Sequence, residues 1–249
     1  MTSIVRRPAR RSRSSSVIRP LARAVDTTPV IVASGLTKRY GGVEVVADMS
    51  FSLTAGSKTA LLGANGAGKS TLLGLLTTLL TLNAGDATIA GHAISTNPIE
   101  LRRNIGVLAH LPMVYEELSP LENLEFFARL YQVPDSDARV EELLRAVGLW
   151  RRRREPTAIL SRGYHQRLAL ARAIVHHPTV LLLDEPETGL DPEGVALLDE
   201  LALRDPEITV LAATHLVDRV DQWADGILRL DRGRVVEAPE VSAVVGAPS

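Results

Sequence analysis

The run Gly63-Ala64-Asn65-Gly66-Ala67-Gly68-Lys69-Ser70-Thr71 constrains this chain more than any other feature, because it has the spacing G-x-x-x-x-G-K-[S/T] and leads directly into a leucine-rich helical pattern. Glycines let the backbone wrap closely enough for its N–H groups to face phosphate oxygens. Lys69 adds a point charge, and the Ser70 hydroxyl is suited to hold Mg²⁺. A helix N-terminus after the loop supplies further donors and a favourable dipole. The apolar run Thr59 to Leu62 reads as a buried strand before the loop, and Leu72, Leu73, Leu75, Leu76, Leu79 and Leu80 as a helical stripe after it. Strand, glycine-rich loop and helix in this order predict an α/β fold of phosphate-loop type and a nucleoside triphosphate site.

The 249 residues, 45% apolar and 4% aromatic, suffice for the core of one large α/β domain with a subdomain, and leave no room for a second enzyme. There are no cysteines, which excludes disulfides, thiolate metal sites and Cys nucleophiles and matches a reducing cytosol. Every long apolar stretch is broken by Gly, Lys or Asp before it reaches bilayer length, so any membrane attachment is expected to run through a partner. The net charge of −1 hides an asymmetry: Arg6, Arg7, Arg10, Arg11, Arg13, Arg19 and Arg23 all precede the first acid, Asp26. Residues 1–29 therefore read as a disordered Arg/Ser-rich tail, solvated and dispensable for chemistry, though able to approach an anionic surface. Arg6-Arg7 lacks a following apolar segment, so no export signal is expected. Residues 30–240 read as the folded domain and 241–249 as a C-terminal tail.

Short β-type runs open the domain at Val30 to Ala33, Val43 to Val46, Phe51 to Leu53 and Thr59 to Leu62, followed by Ala87 to Ala90 and Ile105 to Leu108. From about residue 110 to 177 the pattern turns helical, with Leu121, Leu124, Phe127, Ala128 and Tyr131 on one spacing and Val140, Leu143, Leu144 and Val147 on another. This predicts an inserted helical subdomain. Alternation then resumes: a strand at Val180 to Leu183, a helix near Val195 to Leu203, a strand at Thr209 to Ala213, a helix near Leu216 to Trp223, and strands near Ile227 to Leu230 and Arg234 to Val236. Such alternation predicts a largely parallel sheet. The Arg151 to Arg154 run reads as a solvated turn, and no nucleic-acid partner is expected.

The second chemistry-bearing motif is Val180-Leu-Leu-Leu-Asp184-Glu185-Pro186, an apolar strand delivering two carboxylates at its C-terminal end. Ligands of open α/β sheets bind at that end. Asp184 is placed to hold Mg²⁺ beside the β and γ phosphates, and Glu185 to accept a proton from an attacking water.

Together these residues resemble the ATP-binding subunit of an ABC transporter from about Val30 to Glu237. Tyr40 matches that family's adenine-stacking aromatic, a contact of about 1–3 kcal/mol. Leu160-Ser161-Arg162-Gly163-Tyr164-His165-Gln166 is similar to the family signature Leu-Ser-Gly-Gly-Gln, with Ser161 and the Gly163 backbone on a helix N-terminus suited to an anion. Thr188-Gly-Leu-Asp191 resembles the loop that crosses the dimer interface. His215 resembles the switch histidine that contacts the γ-phosphate.

The resemblance implies a mixed α/β cassette that binds ATP and Mg²⁺ and hydrolyses ATP. It also implies a head-to-tail dimer with a second ATP-binding subunit, docked on integral membrane subunits at the cytoplasmic face of the cell membrane. Arg162 and Tyr164 depart from the signature, and His110 stands where most of the family carries Gln. His110 with Pro112, the Tyr115 to Leu118 stretch and the Leu-Ser-Arg-Gly form are similar to the haem exporters of cytochrome c biogenesis. Haem export is accordingly the expected task. The alternatives are an ABC-2-type exporter of drug, lipid or polysaccharide, and a soluble ABC ATPase acting on ribosomes or DNA.

Overall fold

A computed structural model describes residues 28–239; residues 1–27 of the expected Arg-rich tail and the C-terminal tail, 241–249, lie outside the described residues, whereas Pro29, expected in the tail, opens the first strand. The chain opens with strand β1 (Pro29–Tyr40), which turns at Gly41-Gly42 into β2 (Val43–Thr54), followed by β3 (Lys58–Leu62) and helix α1 (Lys69–Leu76). Then come β4 (Ala84–Ile89), β5 (His92–Ala93), α2 (Pro98–Asn104) and β6 (Ile105–Leu108). The helical stretch comprises α3 (Pro120–Leu130), α4 (Ser136–Ala146) and α5 (Arg162–Ile174), with short 3-10 turns before α5. The remaining elements are β7 (Val180–Asp184), α6 (Pro192–Leu198), β8 (Thr209–Ala213), α7 (Val217–Val220), β9 (Gly226–Asp231) and β10 (Arg234–Glu237).

Two sheets result. One is antiparallel, in the order β2-β1-β4-β5; the other runs β10-β9-β3-β8-β7-β6. In the second, β9, β3, β8, β7 and β6 are parallel, and β10 returns antiparallel beside β9. Helix α1 packs its leucines into a core shared with the antiparallel sheet, while α3 to α6 cover the other face of β6, β7 and β8. Strands β3 and β8 are buried along their whole length, which is why most of their residues are apolar.

The separate strands expected at Val43 to Val46 and Phe51 to Leu53 are one continuous strand. Asp48, at φ 52, forms an irregularity that breaks the apolar alternation without ending the pairing with β1. The leucine stripe after the phosphate loop overran its helix. Thr78 adopts φ 60, and the N–H groups of Thr77, Thr78 and Leu80 close on Leu73, Leu75 and Gly74, so Leu79 projects into solvent. Helix α6 begins earlier than its apolar pattern suggested, because Asp191 caps it and Pro192 occupies its first position. It continues as a π-helical stretch, Asp199–Leu203. The expected helix near Leu216 to Trp223 shortens to α7. In the arginine run, Arg153 packs over Trp150, with the α4 residue Arg145 also over that ring.

Candidate functional site

Neighbouring parallel strands deliver the site. Along β3-β8-β7-β6 their carboxyl ends carry the phosphate loop after Leu62, Thr214-His215 after Ala213, Asp184-Glu185 at the end of β7, and His110 just beyond Leu108. The pairings Leu61↔Ala213 and Asp184↔Ala213 bring these ends into one row.

The loop from Gly63 to Thr71 wraps against backbone on two sides. A Cβ at Gly63 would lie 2.5 Å from Leu230 O, and one at Gly68 2.7 Å from Val45 O. Only glycine tolerates those approaches, and both positions also adopt positive φ. The Ala67 N–H is used on Ala64 O and that of Leu72 on Gly68 O. Among the described residues no group accepts from the N–H of Gly66, Gly68, Lys69, Ser70 or Thr71. Those are the orphan donors of a helix start, aimed where an anion binds. Lys69 is buried, and its ammonium donates to Gly63 O at 2.6 Å and Ala64 O at 3.2 Å. Asn65, Gly66 and Ser70 lie exposed at the loop's rim. The donors and charge fit a triphosphate.

At the end of β7, Glu185 takes the left-handed conformation, φ 53, and its N–H donates to Ala213 O at 2.8 Å. This bend carries its carboxylate to His215, with Oε2 2.8 Å from Nε2. Asp184 lies half-buried beside it. Among the described residues there is no cluster of His, Cys, Asp or Glu that could hold a metal alone. Ser70 at the exposed rim of the loop and Asp184 at the end of β7 offer oxygens of the kind that suit Mg²⁺. Tyr40, at the end of β1, is 46% exposed with the Lys38 ammonium 5.1 Å from its ring centroid, leaving ring surface open for a base.

Ser161 caps α5, its side chain accepting from the Tyr164 N–H at 3.5 Å. A Cβ on Gly163 would lie 3.6 Å from Gly189 O, so the signature helix abuts the loop carrying Asp191. Arg162, at the departure from the signature, lies across Gly189: a Cβ there would meet its Nε at 2.8 Å. His110 is exposed and borders a cavity of about 380 Å³ with Pro112, Glu116, Arg162, His165 and Gln166. It thus faces the start of α5.

One structural residue was missed at the sequence level. Arg167, with a side chain only 6% exposed, donates to Asp191 at 2.7 and 3.0 Å and to Glu193 at 2.9 Å. This guanidinium, and then the Gly194 N–H, hold the Asp191 carboxyl below the usual carboxylate range. The available signal was an arginine directly before the apolar run Leu168 to Ala171 of this helix. Arg167→Ala is expected to lower unfolding free energy by about 1–3 kcal/mol, because charge-assisted hydrogen bonds and buried side-chain packing are lost together. A urea midpoint unchanged from wild type would refute that.

The fold and the donor-lined loop define an ATP-binding cassette of the phosphate-loop class. The chain belongs to the ABC transporter family, whose model, described as "ABC transporter", matches residues 46–188. It is 35% identical over 222 residues to the uncharacterized ABC transporter ATP-binding protein YcbN of Bacillus subtilis, covering 88% of this chain and 72% of that one. It is 39% identical over 213 residues to the daunorubicin/doxorubicin resistance ATP-binding protein DrrA of Streptomyces peucetius, covering 84% of this chain and 64% of DrrA. The ATP-binding cassette MJ0796, solved as a dimer in a post-hydrolysis state with ADP and Pi, superposes with a TM-score of 0.75 at 25% identity, covering 83% of this chain and 97% of that one. The protein is an ABC-type ATPase.

These relatives correct one expectation. Drug-resistance ATP-binding proteins stand among them, which supports the alternative of an ABC-2-type exporter better than haem export. The residues that suggested it lie largely on exposed surface after β6 and at the start of α5, where they carry no contact that would identify a cargo.

Proposed function

We propose that this chain is the ATP-hydrolysing subunit of an ABC-2-type exporter of a drug-like cargo, working as half of a head-to-tail dimer on separate integral membrane subunits at the cytoplasmic face of the cell membrane. The observation that carries the reading is the Glu185 carboxylate at 2.8 Å from His215, in the row of strand ends beside the phosphate loop. Similarity to DrrA supports the cargo class.

In this reading the backbone of Gly63 to Thr71 and the Lys69 ammonium bind the phosphates, and Tyr40 stacks on the adenine. Ser70 and Asp184 are the groups that would hold Mg²⁺, whose charge offsets that of the β and γ phosphates. Glu185 takes the proton of the attacking water, while His215 orients the carboxylate and faces the γ-phosphate. Ser161 and Gly163 complete the site of a second copy, and Asp191, latched to Arg167, lies beside them at the same interface.

Among the described residues no helix is long and apolar enough to cross a membrane. The exposed apolar side chains Leu111, Met113, Tyr115, Phe126 and Leu130 gather around the segment after β6 and suit a cytoplasmic helix of a membrane partner. Co-purification with a polytopic membrane protein tests this, and sedimentation with ribosomes instead would favour the soluble ABC ATPase. Co-expression with the cognate membrane subunits should raise resistance to an amphiphilic drug in a sensitive host, and unchanged resistance across a drug panel would remove the cargo assignment.

His110 should act in coupling, since its loop joins β6 to this apolar surface. His110→Ala is expected to reduce ATPase stimulation by the membrane subunits while leaving ATP affinity within about twofold, and His110→Gln to retain most of it because both side chains hydrogen-bond water. Equal stimulation of His110→Ala and wild type would make the residue filler.

A further inference from the structure

A carboxylate stands where the turn after Glu185 has no evident need of one. Glu187 follows Pro186, and its side chain is only 5% exposed. The Thr214 hydroxyl donates to its Oε2 at 3.3 Å, and Arg219 Nη1 lies 3.6 Å from its Oε1. Arg219 is held in turn by Asp199, where the π-helical stretch begins, through Nη2 at 2.9 and 3.0 Å. Thr214 also accepts from the Leu216 N–H at 3.0 Å. His215 therefore sits between two residues pinned through one hydroxyl, and that hydroxyl is pinned by Glu187.

Burying a carboxylate is unfavourable unless it is paired and hydrogen-bonded. Here the pairing joins the loop that bears Glu185 to the loop and short helix that follow His215. His215 itself is half exposed, so packing alone does not fix its ring. We propose that Glu187 and Arg219 are positioning residues for the hydrolytic pair, holding the His215 loop in register with Glu185; the inference rests on the roles given above to those two residues. Glu187 and Arg219 touch neither nucleotide nor water in this scheme. They act through Thr214, and Asp199 keeps the guanidinium from swinging away.

The test is steady-state Mg²⁺-ATP hydrolysis by the full chain, with nucleotide affinity and thermal unfolding measured in parallel. Glu187→Met should lower kcat about 10-fold or more with ATP KM within about twofold, as expected when alignment rather than binding is lost. Glu187→Gln should retain more turnover, because its amide carbonyl still accepts from Thr214. The double variant Glu187→Met/Arg219→Met removes both members of the pair and leaves Asp199, with its side chain 20% exposed, to water; its kcat should be no higher than that of Glu187→Met. Wild-type turnover in the folded double variant would overturn the proposal, as would a kcat that simply tracks stability across the series. Glu185→Gln and His215→Ala serve as controls. If both abolish turnover while Glu187→Met does not, this inference fails alone; if neither does, the hydrolytic reading fails and takes the inference with it.

Discussion

Glu185→Gln should bind ATP as tightly as wild type and turn it over about 10²- to 10⁴-fold more slowly, the usual contribution of a positioned general base. The substitution is nearly isosteric. Its carboxamide can keep the contact with His215 that Glu185 makes at 2.8 Å, so the strand end and the switch loop stay in place. What disappears is a group able to accept the water's proton. The bend at Glu185, φ 53, costs a non-glycine residue on the order of 1–3 kcal/mol and is held by the hydrogen bond from its N–H to Ala213. Gln inherits the same backbone, which argues against a trivial folding defect. With hydrolysis blocked, ATP should hold two copies together, since Ser161 and Gly163 of each complete the other's site in the proposed sandwich. Size-exclusion chromatography of the variant with ATP and Mg²⁺ should show a dimer that reverts to monomer with ADP. A variant that stays monomeric with saturating ATP would contradict the sandwich, and one that hydrolyses at the wild-type rate would remove Glu185 from the chemistry.

The parts of this architecture legible in the sequence are those fixed by local spacing. Strands β3, β7 and β8 announce themselves because burial demands an apolar residue at nearly every position. The phosphate loop is legible because its glycines, Lys69 and Ser70 must sit at set intervals to wrap one anion. Helix α1 was overestimated because leucine spacing does not reveal the left-handed turn at Thr78. The bonds that organise the site across the fold were not legible at all. Arg167 and Asp191 are separated by 24 positions and Glu187 and Thr214 by 27, and nothing in the spacing of either pair indicates that the two side chains meet. Their partners become apparent only once β7 and β8 lie side by side and α5 packs across the chain that follows them.

Lys69→Met should weaken ATP binding itself, by about 10²- to 10³-fold, in contrast to the catalytic defect of Glu185→Gln. Truncating one partner of a hydrogen-bonded charge pair in a shielded site generally costs about 2–5 kcal/mol, and every 1.4 kcal/mol is tenfold in affinity. The Lys69 ammonium is shielded here: the side chain is buried, and its Nζ rests on Gly63 O and Ala64 O at the start of the loop. In the proposed function a triphosphate meets the same ammonium together with the N–H groups of Gly66, Gly68, Lys69, Ser70 and Thr71, for which no acceptor stands among the described residues. Methionine keeps the apolar stem and removes only the charge and donors, so stability without nucleotide should change little; Gly63 is half-buried and Ala64 exposed, leaving water access to their carbonyls. Arginine should not substitute, because a planar fork does not reproduce the point-charge contacts that the Lys69 ammonium makes with Gly63 O and Ala64 O. Isothermal titration of wild type, Lys69→Met and Lys69→Arg with ATP and with adenosine separates the contributions. The two variants should lose ATP affinity while adenosine, which carries no phosphate and in the proposed function relies on Tyr40, binds all three alike. Wild-type ATP affinity in Lys69→Met would mean that the backbone donors bind the triphosphate unaided and that the lysine acts only later, on charge that develops during hydrolysis.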